Sequence, residues 1–311
     1  MIDEILLHWK RRAVTLRYDI LLSGSPERCA MRAVVEDKDG DLLVLERLIP
    51  GQARRREVIA RILARLAGNG LARCPGYIPS AGNGYVMGHR GDHYMLARLI
   101  PGDPPPRPDA VAHGWRGHAL AEFLLALERT ASAVSPDLFA QLGPPLDLPS
   151  YAAALAETLR KRRAEAHDRL VLSMDRLAPF FKKWNALPKR LCHGDYHPLN
   201  VLWSDDGITG VIDWEFMGLK PALYDAANCV GCAGSEGPEA LTAGLAAELI
   251  DSLKGAGWDL TLLPETVAAL RVGWLSEWLR RDDRDMIDLE LDYLTLLTKN
   301  LDRLRSAWRV A

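Results

Sequence analysis

His193-Gly194-Asp195-Tyr196-His197-Pro198-Leu199-Asn200, with Asp213 thirteen residues further on, is the stretch on which the reading of this chain turns. After Asn200 comes a short apolar run, Val201-Leu202-Trp203-Ser204, then Asp205-Asp206-Gly207, then Ile208-Thr209-Gly210-Val211-Ile212. Asp-Gly between two such runs predicts a β-hairpin. Facing residues of antiparallel strands lie roughly 4.5–5.5 Å apart at Cα, so Asn200 and Asp213, at the open end, come side by side. Two oxygen ligands at that separation suit a hard cation that keeps its other positions for water and phosphate. Asp195 sits on a tight loop restrained by Pro198, which fixes its own φ and restricts His197. Each residue alone also suits a turn. Together, at this spacing, they point to phosphoryl transfer: Asp195 orients an attacking hydroxyl while Asn200 and Asp213 hold magnesium.

Two competing patterns share this region. His193, Asp195 and His197 alternate, and on an extended strand they would face one way as ligands for zinc or iron. Gly194 and Pro198 argue against a regular strand, and that reading leaves Asn200 and Asp213 without a purpose. Cys229-Val230-Gly231-Cys232 is a CxxC, but no further pair of ligands is suggested nearby.

The stretch resembles the aminoglycoside phosphotransferase and choline kinase-like family of the protein-kinase-like superfamily. His193-Gly194-Asp195 with Asn200 matches that family's H-G-D-x-x-x-x-N loop, and Ile212-Asp213-Trp214-Glu215 matches its I-D-W-[DE] motif. Pro221 and Asp225 match a downstream P-x-x-x-D pattern that usually has a structural role. The likeness spans most of the chain and is strong from residue 191 to 225. It implies an α+β, bilobal protein-kinase-like fold, with a small antiparallel-sheet lobe carrying one helix and a larger, mainly helical lobe. It implies ATP or GTP and Mg2+ as cofactors, Asp195 as catalytic base, Asn200 and Asp213 as metal ligands, and His193 as support for the loop backbone. Glu215 would touch a metal-bound water or cap the segment that follows.

The small lobe is expected over residues 1–97, a hinge and connector over 98–108, and the helical lobe with the acceptor site over 109–311. Strands are predicted near residues 18–22, 29–36, 42–48, 77–79, 85–89 and 93–100, and a helix over 52–67, where Val58, Ile59, Ile62, Leu63 and Leu66 form one apolar face. Helices follow at 115–131, 149–170, 172–187, 240–255, 264–282 and 285–310. By the resemblance, the turn at residues 23–26, with Gly24 and Ser25, lies over the nucleotide phosphates. Leu96-Ala97-Arg98-Leu99-Ile100-Pro101-Gly102 resembles the family hinge, so backbone groups of Arg98 and Ile100 would bond adenine. Glu57 stands where a helix carboxylate would pair with a strand cation, although a solvated glutamate near a helix start reads the same way. Arg54-Arg55-Arg56 would reach phosphate or form a solvated face.

The family expects Lys or Arg on the third strand, facing the phosphates. One alignment puts Glu46 there and another puts Arg47, and these side chains point to opposite faces. Arg47 is the favoured choice, because a guanidinium binds phosphate well and a bare carboxylate repels it. The departure keeps open an alternative: a nucleotide-binding regulatory module with little or no transfer activity.

The chain has 311 residues, enough for two lobes around a large core. Hydrophobic residues make up 48% and charged ones 26%, as in soluble globular proteins. A net charge of −2 gives no reason to expect a nucleic-acid partner, and no apolar run is long enough to span a membrane. The start lacks the basic and apolar pattern of a secretion signal. Five scattered cysteines suggest reduced thiols and a cytoplasmic home. The acceptor is expected to be a small-molecule hydroxyl, aminoglycoside-, choline- or homoserine-like. Trp274, Glu277 and Trp278, followed by Asp282, Asp283, Asp285 and Asp288, would form an aromatic and acidic wall for a cationic amine, unless the tryptophans are core and the acids solvated. Oligomeric state is not legible.

Overall fold

A computed structural model describes residues 2–22, 29–107 and 109–310. The first part of the chain comprises α1 (Ile2–Leu6), β1 (Ala13–Leu16), β2 (Met31–Asp37), β3 (Leu42–Arg47), α2 (Ala53–Gly68), β4 (Met87–His89) and β5 (Asp92–Arg98). The strands form one antiparallel sheet in the order β1-β2-β3-β5-β4. Asp37 fixes the β2–β3 turn by accepting the N–H groups of Asp39 and Asp41 at 2.9 and 3.0 Å, and Gly40 completes it at φ +79°. The turn sets the register: Arg32 faces Glu46 and Val34 faces Val44. Leu43 and Leu45 therefore enter an apolar cluster with Ile5, Leu6, Trp9 and Val35. Val44 and Glu46 take the other face, as the period of two requires.

The apolar stripe of α2 is buried and joins the core of the helical part. That part comprises α3 (Gly114–Ala131), α4 (Pro136–Ala140), α5 (Leu148–Arg162), α6 (Ala164–Phe181), β6 (Lys189–Cys192), β7 (Val201–Ser204), β8 (Gly207–Val211), β9 (Gly218–Pro221), α7 (Tyr224–Gly234), α8 (Gly244–Gly255), α9 (Leu263–Arg281), α10 (Arg284–Lys299) and α11 (Leu301–Trp308). β7 pairs with β8 as the expected hairpin, and β6 pairs with β9. The connector after β5 is pinned to this hairpin by reciprocal backbone bonds between Asp103 and Trp203, at 3.3 and 2.9 Å. Gly102 permits the approach: it sits at φ +114°, and a Cβ there would lie 2.6 Å from the Trp203 carbonyl oxygen.

Several boundaries differ from those predicted. The first strand is β1, not residues 18–22, because Asp19 grips the Arg17 guanidinium (2.9 and 2.7 Å) and the chain turns there. The helix expected over 149–170 is two, broken at Arg163 (φ −152°, ψ 74°). The one expected over 285–310 breaks at Asn300 (φ −119°, ψ 20°). Neither break carries Gly or Pro, so neither is visible in a pattern of breakers. The turn at residues 23–26, with Gly24 and Ser25, lies outside the described residues. Among the described residues no helix is long and apolar enough to cross a membrane.

Candidate active site

The loop from His193 to Asn200 is held from below by Asp225 at the start of α7. Its carboxylate accepts the N–H groups of His193 (2.6 Å) and Gly194 (2.9 Å). Gly194 is at φ +90°, and a Cβ there would come 2.1 Å from the Phe216 carbonyl oxygen, so only glycine fits. His193 is fully buried. Its Nδ1 accepts the Asp195 N–H at 3.1 Å, which leaves Nε2 to donate to the Ile212 carbonyl at 2.8 Å. Both ring nitrogens are therefore engaged in tying the loop to the end of β8, and His193 is unavailable as a zinc or iron ligand.

Asn200 donates its amide to the Asp195 carbonyl (2.9 Å) and to Asp195 Oδ2 (3.1 Å). That commitment leaves the amide oxygen of Asn200 as the group to offer a cation. The Ile212 N–H donates to the Asn200 carbonyl at 2.9 Å, the last rung of the hairpin, and this brings Asp213 next to Asn200. Asp213 adopts a left-handed conformation (φ 63°, ψ 54°), which aspartate tolerates better than most residues. The Asp195 Oδ1 lies 3.6 Å from His197 Nε2.

Asp213 lines one cavity and Asp195 lines another. A cleft of about 490 Å3 is lined by Arg32, Val44, Glu46, Tyr77, residues 97–103, Leu202, Asp213 and Glu215. A second cavity, of about 450 Å3, is lined by Asp195, Tyr224, Asn228, Trp274, Glu277, Arg280 and Arg281. Among the described residues no three His, Cys, Asp or Glu side chains could hold a metal by themselves. The donor set fits a hard cation nonetheless: one carboxylate, one amide oxygen, and room for oxygens brought by a phosphate. Glu215 adds a buried oxygen, Oε2, with no hydrogen-bond partner among the described residues.

Other expectations are redrawn. Arg47 does not face the cleft; it lies on the opposite side of β3, 3.4 Å from Asp92, so Glu46 holds the cleft position. Glu57 makes no ion pair with a strand cation. Its Oε2 accepts the N–H groups of Tyr85 and Val86, both at 2.8 Å, and Oε1 meets Arg61. Arg56, one residue earlier and therefore about 100° around the helix, fills the internal place. It is 3% exposed and bonds Glu46, Glu215 and the Tyr77 hydroxyl (3.2 Å). Arg55 reaches the carbonyls of Glu215 (3.1 Å), Met217 (2.6 Å) and Leu142 (2.6 Å). So two of the three arginines fasten α2 to the segment following Asp213, and neither forms a solvated face. Arg98 and Ile100 line the cleft; the Arg98 N–H is spent on the Gly76 carbonyl (3.2 Å), and its guanidinium meets Asp41.

In the second cavity Trp274 donates to Asn228 at 3.1 Å. Trp278 stacks behind it, with ring centroids 6.2 Å apart, and is not part of the lining. Glu277 is clasped by Arg280 and Arg281, and the Arg280 guanidinium chiefly holds its carboxyl down at about 2. The acids after α9 do not build a wall: Asp282 meets Arg163, Asp283 caps α10, and Asp288 meets Arg169.

A family model described as the phosphotransferase enzyme family (APH) matches residues 32–263. The chain belongs to this family. It is 30% identical over 181 residues to the homoserine kinase of Azorhizobium caulinodans, covering 54% of this chain and 50% of that protein. It is 29% identical over 172 residues to the homoserine kinase of Rhodopseudomonas palustris, covering 54% and 49%. The chain thus spans about half the length of the curated relatives it matches. Among solved structures, the GDP and kanamycin complex of APH(2")-IIia superposes with a TM-score of 0.65 at 19% identity, over 95% of this chain and 97% of that one. Spectinomycin phosphotransferase APH(9)-Ia, in complex with ADP and spectinomycin, gives 0.63 at 14% identity, over 98% and 97%. At these identities the likeness is one of fold: the chain has the bilobal kinase-like architecture.

The loop's buried groups fix a pH dependence. Burial pushes the His193 imidazole down to about 4 from an ordinary 6.5. It pushes the Asp225 carboxyl up to about 6 from 3.8, against the two N–H groups that favour its charge. His193 stays neutral in the fold but protonates in the unfolded chain. Its stabilising contribution is complete above pH 6.5 and is lost as pH falls towards 4, a loss of about 3 kcal/mol. Asp225 acts in the opposite sense: its contribution is lost as pH rises through 6. The two offset each other between pH 4 and 6. The stability gap between the parent chain and its His193→Gln variant is expected to shrink by about 3 kcal/mol from pH 7 to pH 4, read by urea unfolding at each pH. A gap independent of pH would overturn the assignment of a neutral His193.

Proposed function

We propose that this phosphotransferase is an ATP-dependent kinase that moves the γ-phosphate to a hydroxyl of a small molecule. The observation that carries this reading is the position of Asp195: it lines one cavity and accepts a hydrogen bond from Asn200, while Asp213, beside Asn200 at the end of the hairpin, lines the cleft. A nucleotide in the cleft would present its terminal phosphate to an acceptor in the second cavity. Asn200 and Asp213 would hold Mg2+, which when bound supplies charge neutralisation at the β- and γ-phosphates. Asp195 accepts a hydrogen bond from the acceptor hydroxyl, aims it, and takes its proton late in the transfer. Asn200 keeps the Asp195 carboxylate in place through its amide, and His193 and Asp225 hold the loop that carries both. Most of the rate then comes from positioning.

The acceptor wall supports a small zwitterion. Asp195 and Glu277 contribute two negative charges and Arg280 and Arg281 two positive ones, so the cavity lacks the excess of carboxylates that a polycation needs. A hydroxylated amino acid such as homoserine has one ammonium and one carboxylate to match, and homoserine kinase is what the two curated relatives are called. In an ADP-release assay against homoserine, serine, choline and kanamycin, homoserine is expected to give the highest kcat/KM. Turnover of kanamycin or choline above that of every amino acid would reject the zwitterion, and no turnover of any acceptor despite tight Mg·ATP binding would favour the regulatory module.

A further inference from the structure

The strand and helix residues of the small lobe carry charges opposite to those the family pattern expects. The strand has an acid, Glu46, and the helix has a base, Arg56. A carboxylate directed at a triphosphate would repel it unless a cation stood between them. Among the described residues four arginines are near enough to be considered. Arg98 lines the cleft from the end of β5, but its guanidinium is 3.2 Å from Asp41 and largely exposed. Arg47 is on the wrong face of β3. Arg56 is enclosed, with its guanidinium committed to Glu46, Glu215 and Tyr77, and it does not line the cleft. Arg32 does line the cleft. It lies on β2, directly across from Glu46. Its Nε is 3.3 Å from Glu46 Oε1, and its Nη2 is 3.3 Å from Asp213 Oδ1.

We propose that Arg32, on the neighbouring strand, is the cation that binds the nucleotide phosphates, and that Glu46 is its brace. This inference rests on the nucleotide reading of the cleft. Glu46 sits between two guanidinium groups, so its charge is spent on holding them. Arg56 anchors it from the interior and Arg32 projects from it towards Asp213. A guanidinium in contact with Asp213 is beside the place where phosphate oxygens would share a cation with that carboxylate. Its planar fork can bond two of those oxygens at once. The reversed pair at Glu46 and Arg56 is therefore compatible with a competent nucleotide site, because the positive charge arrives from β2.

The test is isothermal titration of the full chain with Mg·ATP, Mg·ADP and adenosine, for wild type, Arg32→Gln and Arg47→Gln. Arg32→Gln is expected to weaken both nucleotides about 10- to 100-fold, the worth of a charged hydrogen-bonding pair, and to leave adenosine unchanged. Arg47→Gln is expected to bind all three like wild type. A second measurement needs no variant: Mg·ADP should shield Arg32, and not Arg47, from phenylglyoxal, read by peptide mass spectrometry. Unchanged Mg·ADP affinity in Arg32→Gln, an equal loss for adenosine, or modification of Arg32 at the same rate with nucleotide bound would each overturn the proposal. If the wild-type chain bound neither ATP nor ADP, the nucleotide reading itself would fall, and this inference with it.

Discussion

Asp195→Asn is expected to lower kcat by about three orders of magnitude while Mg·ADP binds as tightly as to the parent chain. The reason is local. The substitution keeps the shape of the side chain, and the Asn200 amide still has the Asp195 main-chain carbonyl, at 2.9 Å, as an acceptor. His193 keeps the loop through the main-chain N–H of the same residue. What disappears is the negative charge proposed to aim the acceptor hydroxyl and accept its proton. Because that contribution is made mainly in the transition state, kcat and kcat/KM should fall together. Steady-state kinetics with the best acceptor, alongside titration with Mg·ADP, separates the two quantities. Retention of more than a tenth of the parent kcat would remove Asp195 from the catalytic role.

The second large effect is on stability. Arg56→Ala should lower the unfolding free energy by about 3–5 kcal/mol, the usual cost of leaving buried charges without their partner. Here two carboxylates lose a partner at once, Glu215 and Glu46, both packed against an arginine that is 3% exposed, although Glu46 keeps Arg32 at 3.3 Å. Arg56→Lys should recover part of the loss, since one ammonium cannot span both acids with the geometry of a guanidinium fork. Urea unfolding followed by circular dichroism gives the comparison. A loss under about 1 kcal/mol for Arg56→Ala, as at an exposed pair, would show that Arg56 is not the internal tie between α2 and the segment after Asp213.

The two predictions draw on different kinds of information. The Asp195 loop is written in consecutive residues: glycine where a Cβ would strike the Phe216 carbonyl oxygen, proline after His197, and an Asp-Gly turn that folds β7 onto β8. Each of these signals acts within a few residues of itself, so the juxtaposition of Asp195, Asn200 and Asp213 could be anticipated. Arg56 was one of three identical letters in Arg54-Arg55-Arg56 and gave no sign of its neighbours. Glu57, which reads equally as the partner of a strand cation or as a solvated glutamate, lies one step around the helix from it. For Arg32 the sequence does carry a signal. The Lys38-Asp39-Gly40 turn fixes the β2–β3 register, and counting back from it puts Arg32 opposite Glu46.

The second cavity was the least legible part. Trp274 and Glu277 were expected there and do line it, while Trp278 stands behind Trp274 and the later acids turn to Arg163, to Arg169 and to the α10 cap. A tryptophan on an apolar helix reads the same whether it faces core or cavity. A run of mixed charge does not reveal which acids will meet which arginines, because Arg163 and Arg169 come from α6 and the break before it, more than a hundred residues away.

By itself, the sequence determined the hairpin, the loop geometry and the family, because turn chemistry and strand alternation act over short spans and admit few alternatives. The tertiary structure decided which strand arginine lines the cleft, which helix arginine is enclosed between Glu46 and Glu215, and which aromatic ring lines the second cavity. Those choices depend on strand register and helix rotation relative to distant elements. A desolvated charge selects its partner only when folding has brought the candidates within reach.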